Sequence, residues 1–283
     1  MLSIHTRQGH QGAVYDILWS SAHQSWFSCG GDGIVAQWTM DEANGTARLH
    51  TQSACYSLAT WGNAGVVMGD ASGGLACWSP AGVMEVAGHN ASVFALHERP
   101  DGVLLSGDGN GAIKGWRMGQ KGLEQVFECA TPHGKVRHFS DHPDGTLASF
   151  GCGGWGLLDA NNTVGPMTVM HQGSCYWALW HEGKQAVFSG GLDGHLAVCA
   201  RNAAPFTMPI HQSAVYRGLI HEGLLYTCSR DKSVKAWNIQ DLEPRFKLDT
   251  HHARSLNAMA LGGAKTLQLA TGGDDKLLKV FNL

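Results

Sequence analysis

One phrase recurs along this chain, and a chain that repeats itself at a near-constant period must fold as an array of similar units. "HQGAVYDILW" (10–19) returns as "HNASVFALHE" (89–98), "HQGSCYWALW" (171–180) and "HQSAVYRGLI" (211–220). Following the phrase through its weaker copies places its leading histidine at 10, 50, 89, 133, 171, 211 and 252, at intervals of 38 to 44 residues. A unit of that length cannot bury its own apolar face and has to stack on a neighbour. Each copy runs through a period-2 stretch, a turn such as "ERPDG" (98–102) or "HPDG" (142–145), a second short apolar run, a Gly-rich turn and a third run. Short β-rich runs broken by a turn signal about every 10 residues, with no helical periodicity, predict an all-β fold.

Composition narrows the function classes. The 283 residues are 43% hydrophobic and 15% charged, far from a disordered chain, and 38 glycines supply the turns. A net charge of −3 gives no general field to attract nucleic acid or an anionic membrane. The N-terminal stretch has no apolar run of signal-peptide length, and nothing approaches the roughly 20 apolar residues of a membrane span, so a soluble cytoplasmic protein is expected. The eight cysteines contain no CxxC pair and are expected as buried, reduced thiols acting as small hydrophobes. No metal or cofactor is expected.

Gly-His ahead of the first run (9–10, 88–89), and an Asp six residues before a Trp (Asp32 and Trp38, Asp231 and Trp237), resemble the WD-repeat β-propeller family, and the resemblance extends over the whole chain. It implies one domain (1–283): a seven-bladed β-propeller of four-stranded antiparallel blades. It also implies a hydrogen-bonded tetrad of His, Ser/Thr, Asp and Trp in each complete blade. Blade one supplies His10, Ser28, Asp32 and Trp38, and blade six His211, Thr227, Asp231 and Trp237. Blade five has His171, Ser189 and Asp193 with Cys199 in the Trp place, and blade seven His252, Thr271 and Asp275 with Phe281 there. Blades two, three and four put Ser72, Asn110 and Cys152 where Asp belongs and are expected to lack the network. Blade four also has Leu158 for Trp and carries "GCGGWG" (151–156), so it is expected to be the most mobile. The last copy ends at its third strand, and "LSIHT" (2–6) is expected to supply the fourth and close the ring.

No GxSxG, phosphate-loop or HExxH pattern is present. "SGDGNG" (106–111) reads as a turn between strands, and the His-Glu pairs at 97–98, 181–182 and 221–222 recur at one hairpin position of separate blades, too dispersed for a metal. A Ser-His-Asp set repeated along one strand framework reads as structural, not as a row of active sites.

The informative slot is the residue after the Val or Cys of the first run: Tyr15, Tyr56, Phe94, Arg137, Tyr176, Tyr216 and Asn257, which takes four of the five tyrosines. The resemblance places this slot around the mouth of the central channel, joined by Leu192, Arg230 and Asp274 from the position before Asp. The residues preceding the Val or Cys are small (Ala13, Ala54, Ser92, Ser174, Ala214, Ser255) except for Lys135 in blade four, which leaves room for the rings to face a ligand. Packing between blades is the simpler account of any one ring, and binding the better account of the set. The expected function is therefore a non-enzymatic scaffold binding a protein or peptide, one bearing Arg or Lys, at an aromatic top face. The alternative is a small-ligand binder or enzyme at the same mouth. No nucleic-acid or membrane partner is expected.

Overall fold

The computed structural model describes residues 4–39, 44–62, 65–119 and 122–283. Its strands form seven four-stranded antiparallel sheets, and the one helix among the described residues is a single 3-10 turn, Glu182–Lys184. The innermost strands are Val14–Ser20, Cys55–Trp61, Val93–Glu98, Val136–His142, Cys175–His181, Val215–His221 and Leu256–Gly262. Each packs beside the next, and the seventh packs beside the first, which closes a ring. None of the helical segments among the described residues is long and apolar enough to cross a membrane.

The seventh sheet is completed as the repeat predicted. Ile4–Arg7 lies antiparallel on Leu278–Asn282, with Ile4 opposite Phe281 and Arg7 opposite Leu278. Of the expected segment 2–6, Leu2 and Ser3 lie outside the described residues. Pairing the start of the chain to its last strand removes an open sheet edge where the ring would otherwise part.

The core lies between blades. One cluster joins Val14, Ile17, Trp26 and Trp38 of blade one to Ala258, Ala270, Leu278 and Val280 of blade seven. Another joins Tyr226, Cys228 and Val234 of blade six to Leu256, Met259 and Leu269 of blade seven. Full burial of a large apolar side chain contributes roughly 1.5 to 3 kcal/mol, and here much of it depends on a neighbouring blade. Five cysteines join these cores, and burial pushes the thiols of Cys55 and Cys77 up to about 11 and that of Cys228 up to about 12. All eight are free, but Cys129 and Cys199 are only half-buried and Cys152 is exposed in the blade-four turn, so the expectation of uniformly buried thiols holds for five.

Two backbone devices recur in all seven blades. The inner strand carries a β-bulge, with the register slipping between Val14 and Asp16, Cys55 and Ser57, Val93 and Ala95, Val136 and His138, Cys175 and Trp177, Val215 and Arg217, and Leu256 and Ala258. The skipped residue is in every case the slot singled out above. The turn after the second strand then needs a left-handed residue, which is Gly33, Gly73, Gly111, Gly153 and Gly194 in five blades and Lys232 and Lys276 in two.

The tetrads follow the spacing, with one correction. In blade one Trp38 Nε1 donates to Ser28 Oγ (2.8 Å), which is 2.8 Å from His10 Nε2, and His10 Nδ1 lies 2.9 Å from Asp32 Oδ2. Since the carboxylate only accepts, Nδ1 carries the imidazole proton and the serine hydroxyl donates to Nε2. Blade six repeats this with Trp237, Thr227, His211 and Asp231. Blades five and seven keep the His, hydroxyl and Asp links without Trp. Blade three, expected to lack the network, has all of it: Asp108, two residues before Asn110, reaches His89 Nδ1 at 3.2 Å, and Ser106 joins His89 (2.6 Å) to Trp116 (2.7 Å). The carboxylate has moved from the turn to the end of the strand, where it also accepts the Asn110 and Ala112 amides. Blade two has Asp70 at the same place, but Met68 replaces the hydroxyl and His50 is exposed, so Asp70 only caps its turn through Ser72 and Gly74. Among the described residues His133 of blade four has no carboxylate partner and packs edge-on to Phe150.

Candidate functional site: the channel mouth

A β-bulge leaves its extra residue outside the ladder and turns that side chain away from the sheet neighbours that flank it. Seven such bulges around one ring aim seven side chains at a common space. Tyr15, Tyr56, Phe94, Arg137, Tyr176, Tyr216 and Asn257 all line a single open pocket of about 350 Å³, together with Arg217 and Asp274. Each slot residue is half-buried, while the Val, Cys or Leu before it is fully buried. Leu192 and Arg230, also expected here, are exposed and do not line the pocket.

The rings form a nearly continuous wall. Tyr15 and Tyr56 are 5.2 Å apart between centroids, Tyr56 stacks on Phe94 at 4.9 Å, and Tyr176 meets Tyr216 edge-on at 4.8 Å. Arg137 fills the break between Phe94 and Tyr176, its guanidinium 5.2 and 5.1 Å from the two ring centroids. The other break holds Asn257, whose Nδ2 donates to Asp274 Oδ1 (2.7 Å) and to the Val14 carbonyl (3.2 Å). The mouth is therefore bipolar, with a cation at blade four and a carboxylate at blade seven. Burial, then the neighbouring Tyr56 and Asp274, raises the Tyr15 phenol, and burial with Tyr176 raises Tyr216, so both hydroxyls keep their protons.

The residue after the slot is buried in the cores between blades in two cases, Trp177 and Ala258, and borders the channel below the mouth in the other five blades (Asp16, Ser57, Ala95, His138 and Arg217). There Arg217 of blade six crosses to Asp16 of blade one, passing over the blade between them. Asp16 also accepts the Ile17 amide (3.0 Å) and the Leu58 amide (2.9 Å), so its carboxylate is fully engaged. Arg217 borders both the mouth pocket and the channel below it, and Asp16 lies on the channel side. Burial, and then the charge of Arg217, pushes His138 well below the usual imidazole value, which keeps this channel residue neutral. Arg217 was not anticipated from sequence; the available signal is its place immediately after Tyr216, where blades two and three carry Ser57 and Ala95. Among the described residues no three His, Cys, Asp or Glu side chains are grouped to hold a metal ion.

Residues 1–39 match the family model described as WD domain, G-beta repeat. The crystal structure of the WD40 β-propeller domain of Doa1 superposes on the whole ring with a TM-score of 0.84, covering 100% of this chain and 97% of that chain at 19% identity. The fold is that of a WD40 β-propeller. No curated protein matches the chain by sequence. The tetrads stand apart from the mouth: none of the tetrad histidines lines the pocket.

Proposed function

We propose that this propeller is a non-enzymatic scaffold whose mouth binds a protein or peptide, in keeping with the general role of WD40 propellers as protein-interaction platforms. The observation that carries the reading is the convergence of all seven bulged slots on one concave, aromatic-walled pocket. Half-buried tyrosine and phenylalanine rings offer large contact area at little entropic cost, and such anchors dominate binding energy at interfaces. A Lys or Arg of the partner fits the side where Tyr15 and Tyr216 flank Asp274, because Arg137 already occupies the faces of Phe94 and Tyr176. A cation held there would gain roughly 1 to 2 kcal/mol from the rings.

The test is selection of peptides from a displayed library on the wild-type protein, followed by affinity measurement on a Tyr15→Ala/Tyr216→Ala variant. Selected peptides should bind the wild type and lose roughly tenfold or more on the variant while its melting temperature stays close to wild type. Equal binding to both proteins would remove the mouth as the site.

A further inference from the structure

Arg137 is charged, largely shielded from water and without an anionic partner among the described residues. Its guanidinium lies between two rings, its Nε is buried with no hydrogen-bond partner, and it makes no ion pair with any described residue. Three other arginines differ: Arg217 is met by Asp16, Arg201 by Asp144, and Arg99 by Asp101 and Asn162. Burial lowers the Arg137 pKa, yet a guanidinium stays protonated in proteins, so the charge persists and the buried Nε–H stays unsatisfied. Ring faces compensate a cation only in part, and a buried N–H donor left without an acceptor costs free energy until one arrives. The imbalance is local to blade four, where exposed Lys135 also sits 5.2 Å from the Phe94 centroid. The one carboxylate lining the pocket, Asp274, belongs to blade seven and is bonded to Asn257.

We propose that Arg137 receives a carboxylate of the bound peptide at the blade-four side of the mouth. The proposal rests on the reading of the mouth as a peptide site and adds the chemistry of the ligand. A carboxylate matches the guanidinium in charge and in paired geometry. A phosphate dianion fits less well, because the second arginine bordering the pocket is already neutralised by Asp16. The pocket volume of about 350 Å³ admits one or two residues, so the carboxylate comes from a chain terminus or from an Asp or Glu beside the inserted residue.

Three probes separate the cases in nitrogen-15 spectra that follow the Arg137 Nε–H resonance, assigned by its loss in Arg137→Lys: N-acetylphenylalanine, its primary amide, and N-acetylglutamate blocked as the α-amide. N-acetylphenylalanine should move the resonance saturably, and its affinity, measured by calorimetry because the Arg137 variants lack this resonance, should fall by roughly tenfold or more in Arg137→Gln. Its amide should bind far more weakly. Response to the glutamate probe as well assigns the site to carboxylates in general, and response to the free terminus alone assigns it to chain ends. If acid and amide bind equally at the mouth, the peptide site survives and the carboxylate assignment fails. The assignment fails equally if none of the probes binds, if Arg137→Gln binds N-acetylphenylalanine as well as wild type, or if inorganic phosphate binds more tightly than every carboxylate. Arg137→Lys, which keeps the charge and loses the fork, should be intermediate and guards against misreading a folding defect.

Discussion

Blades six and four carry the same backbone and opposite interiors. In blade six Thr227 joins Trp237 to His211, and His211 donates to Asp231, which also accepts the Gln212 amide. In blade four Ala148 stands in the hydroxyl place, Cys152 in the carboxylate place and Leu158 in the Trp place; Phe150 and Leu158 fill an apolar core with Phe139, while the Ser149 hydroxyl and Trp155 indole are buried without partners. Yet blade four keeps the bulge at Arg137, the hydrogen bond from Gly151 N to Lys135 O, and the left-handed turn at Gly153. Blade six has the corresponding bond from Arg230 N to Ala214 O and the turn at Lys232. The backbone bulge and turn therefore set the mouth, and the tetrad holds the blade beneath it. Blade four, which like blade two lacks a tetrad, presents Arg137 to the pocket, whereas Arg217 of blade six is met by Asp16.

The comparison breaks most sharply at the hydroxyl. Thr227→Val keeps the shape of the side chain but leaves His211 Nε2 and Trp237 Nε1 buried and unpaired, and should cost about 2 to 5 kcal/mol in chemical denaturation. Ala148→Ser adds a hydroxyl to a blade with nothing to bond it and should cost about 1 to 2 kcal/mol. Were the serine stabilising, blade four would hold a latent network after all.

Next comes the carboxylate. Asp231→Ala strips His211 and the Gln212 and Ser233 amides of their acceptor and should cost roughly 1.5 to 3 kcal/mol, whereas Cys152→Ala in the matching turn should stay within about 0.5 kcal/mol. Native-state hydrogen exchange should show the same ordering in the wild type, with amides 147–158 opening roughly tenfold more readily than 225–237. Equal protection would mean that packing alone sets blade stability.

Acid should sharpen the difference by the smallest margin. Burial acts to raise Asp231, Asp275 and Asp193, but the paired histidines and the turn amides outweigh it and hold all three below the ordinary carboxylate range. Their stabilisation is complete above about pH 4 and is lost as pH falls through the lower folded values. Burial, opposed by the partner carboxylates, also lowers His89, His171 and His252, so the unfolded chain takes up protons first and stability begins to decline below about pH 6.5. Melting temperature should therefore drop from pH 7 to pH 4 through the histidines and drop further below pH 4 through the carboxylates, the second step being slightly shallower in Asp231→Asn. A rise on acidification would contradict the assigned protonation.

What the sequence revealed was local. Short spacings such as His10 to Ser28, Asp32 and Trp38 lie within one repeat, so the tetrads of blades one and six and the three-membered sets of blades five and seven were legible. Asp108 was missed because a fixed spacing looks only at position 110, whereas a carboxylate two residues earlier reaches the same imidazole from the strand end. The bulges depend on how strands pair and leave no residue signature at Tyr15 or Tyr216, although the repeated aromatic marked their place. The bond from Arg217 to Asp16 joins residues of different repeats across the channel, which only closure of the ring brings together.

The central claim is that the mouth rings are held by the bulges for binding and are not chiefly packing. It is tested by measuring unfolding free energy and affinity for the selected peptides together in Tyr56→Ala, Tyr176→Ala and Tyr216→Ala. Half-buried rings at an open mouth should cost about 1 kcal/mol of stability each, while peptide affinity falls roughly tenfold or more. Losses of about 3 kcal/mol or more with affinity unchanged would identify the rings as packing between blades and contradict the account.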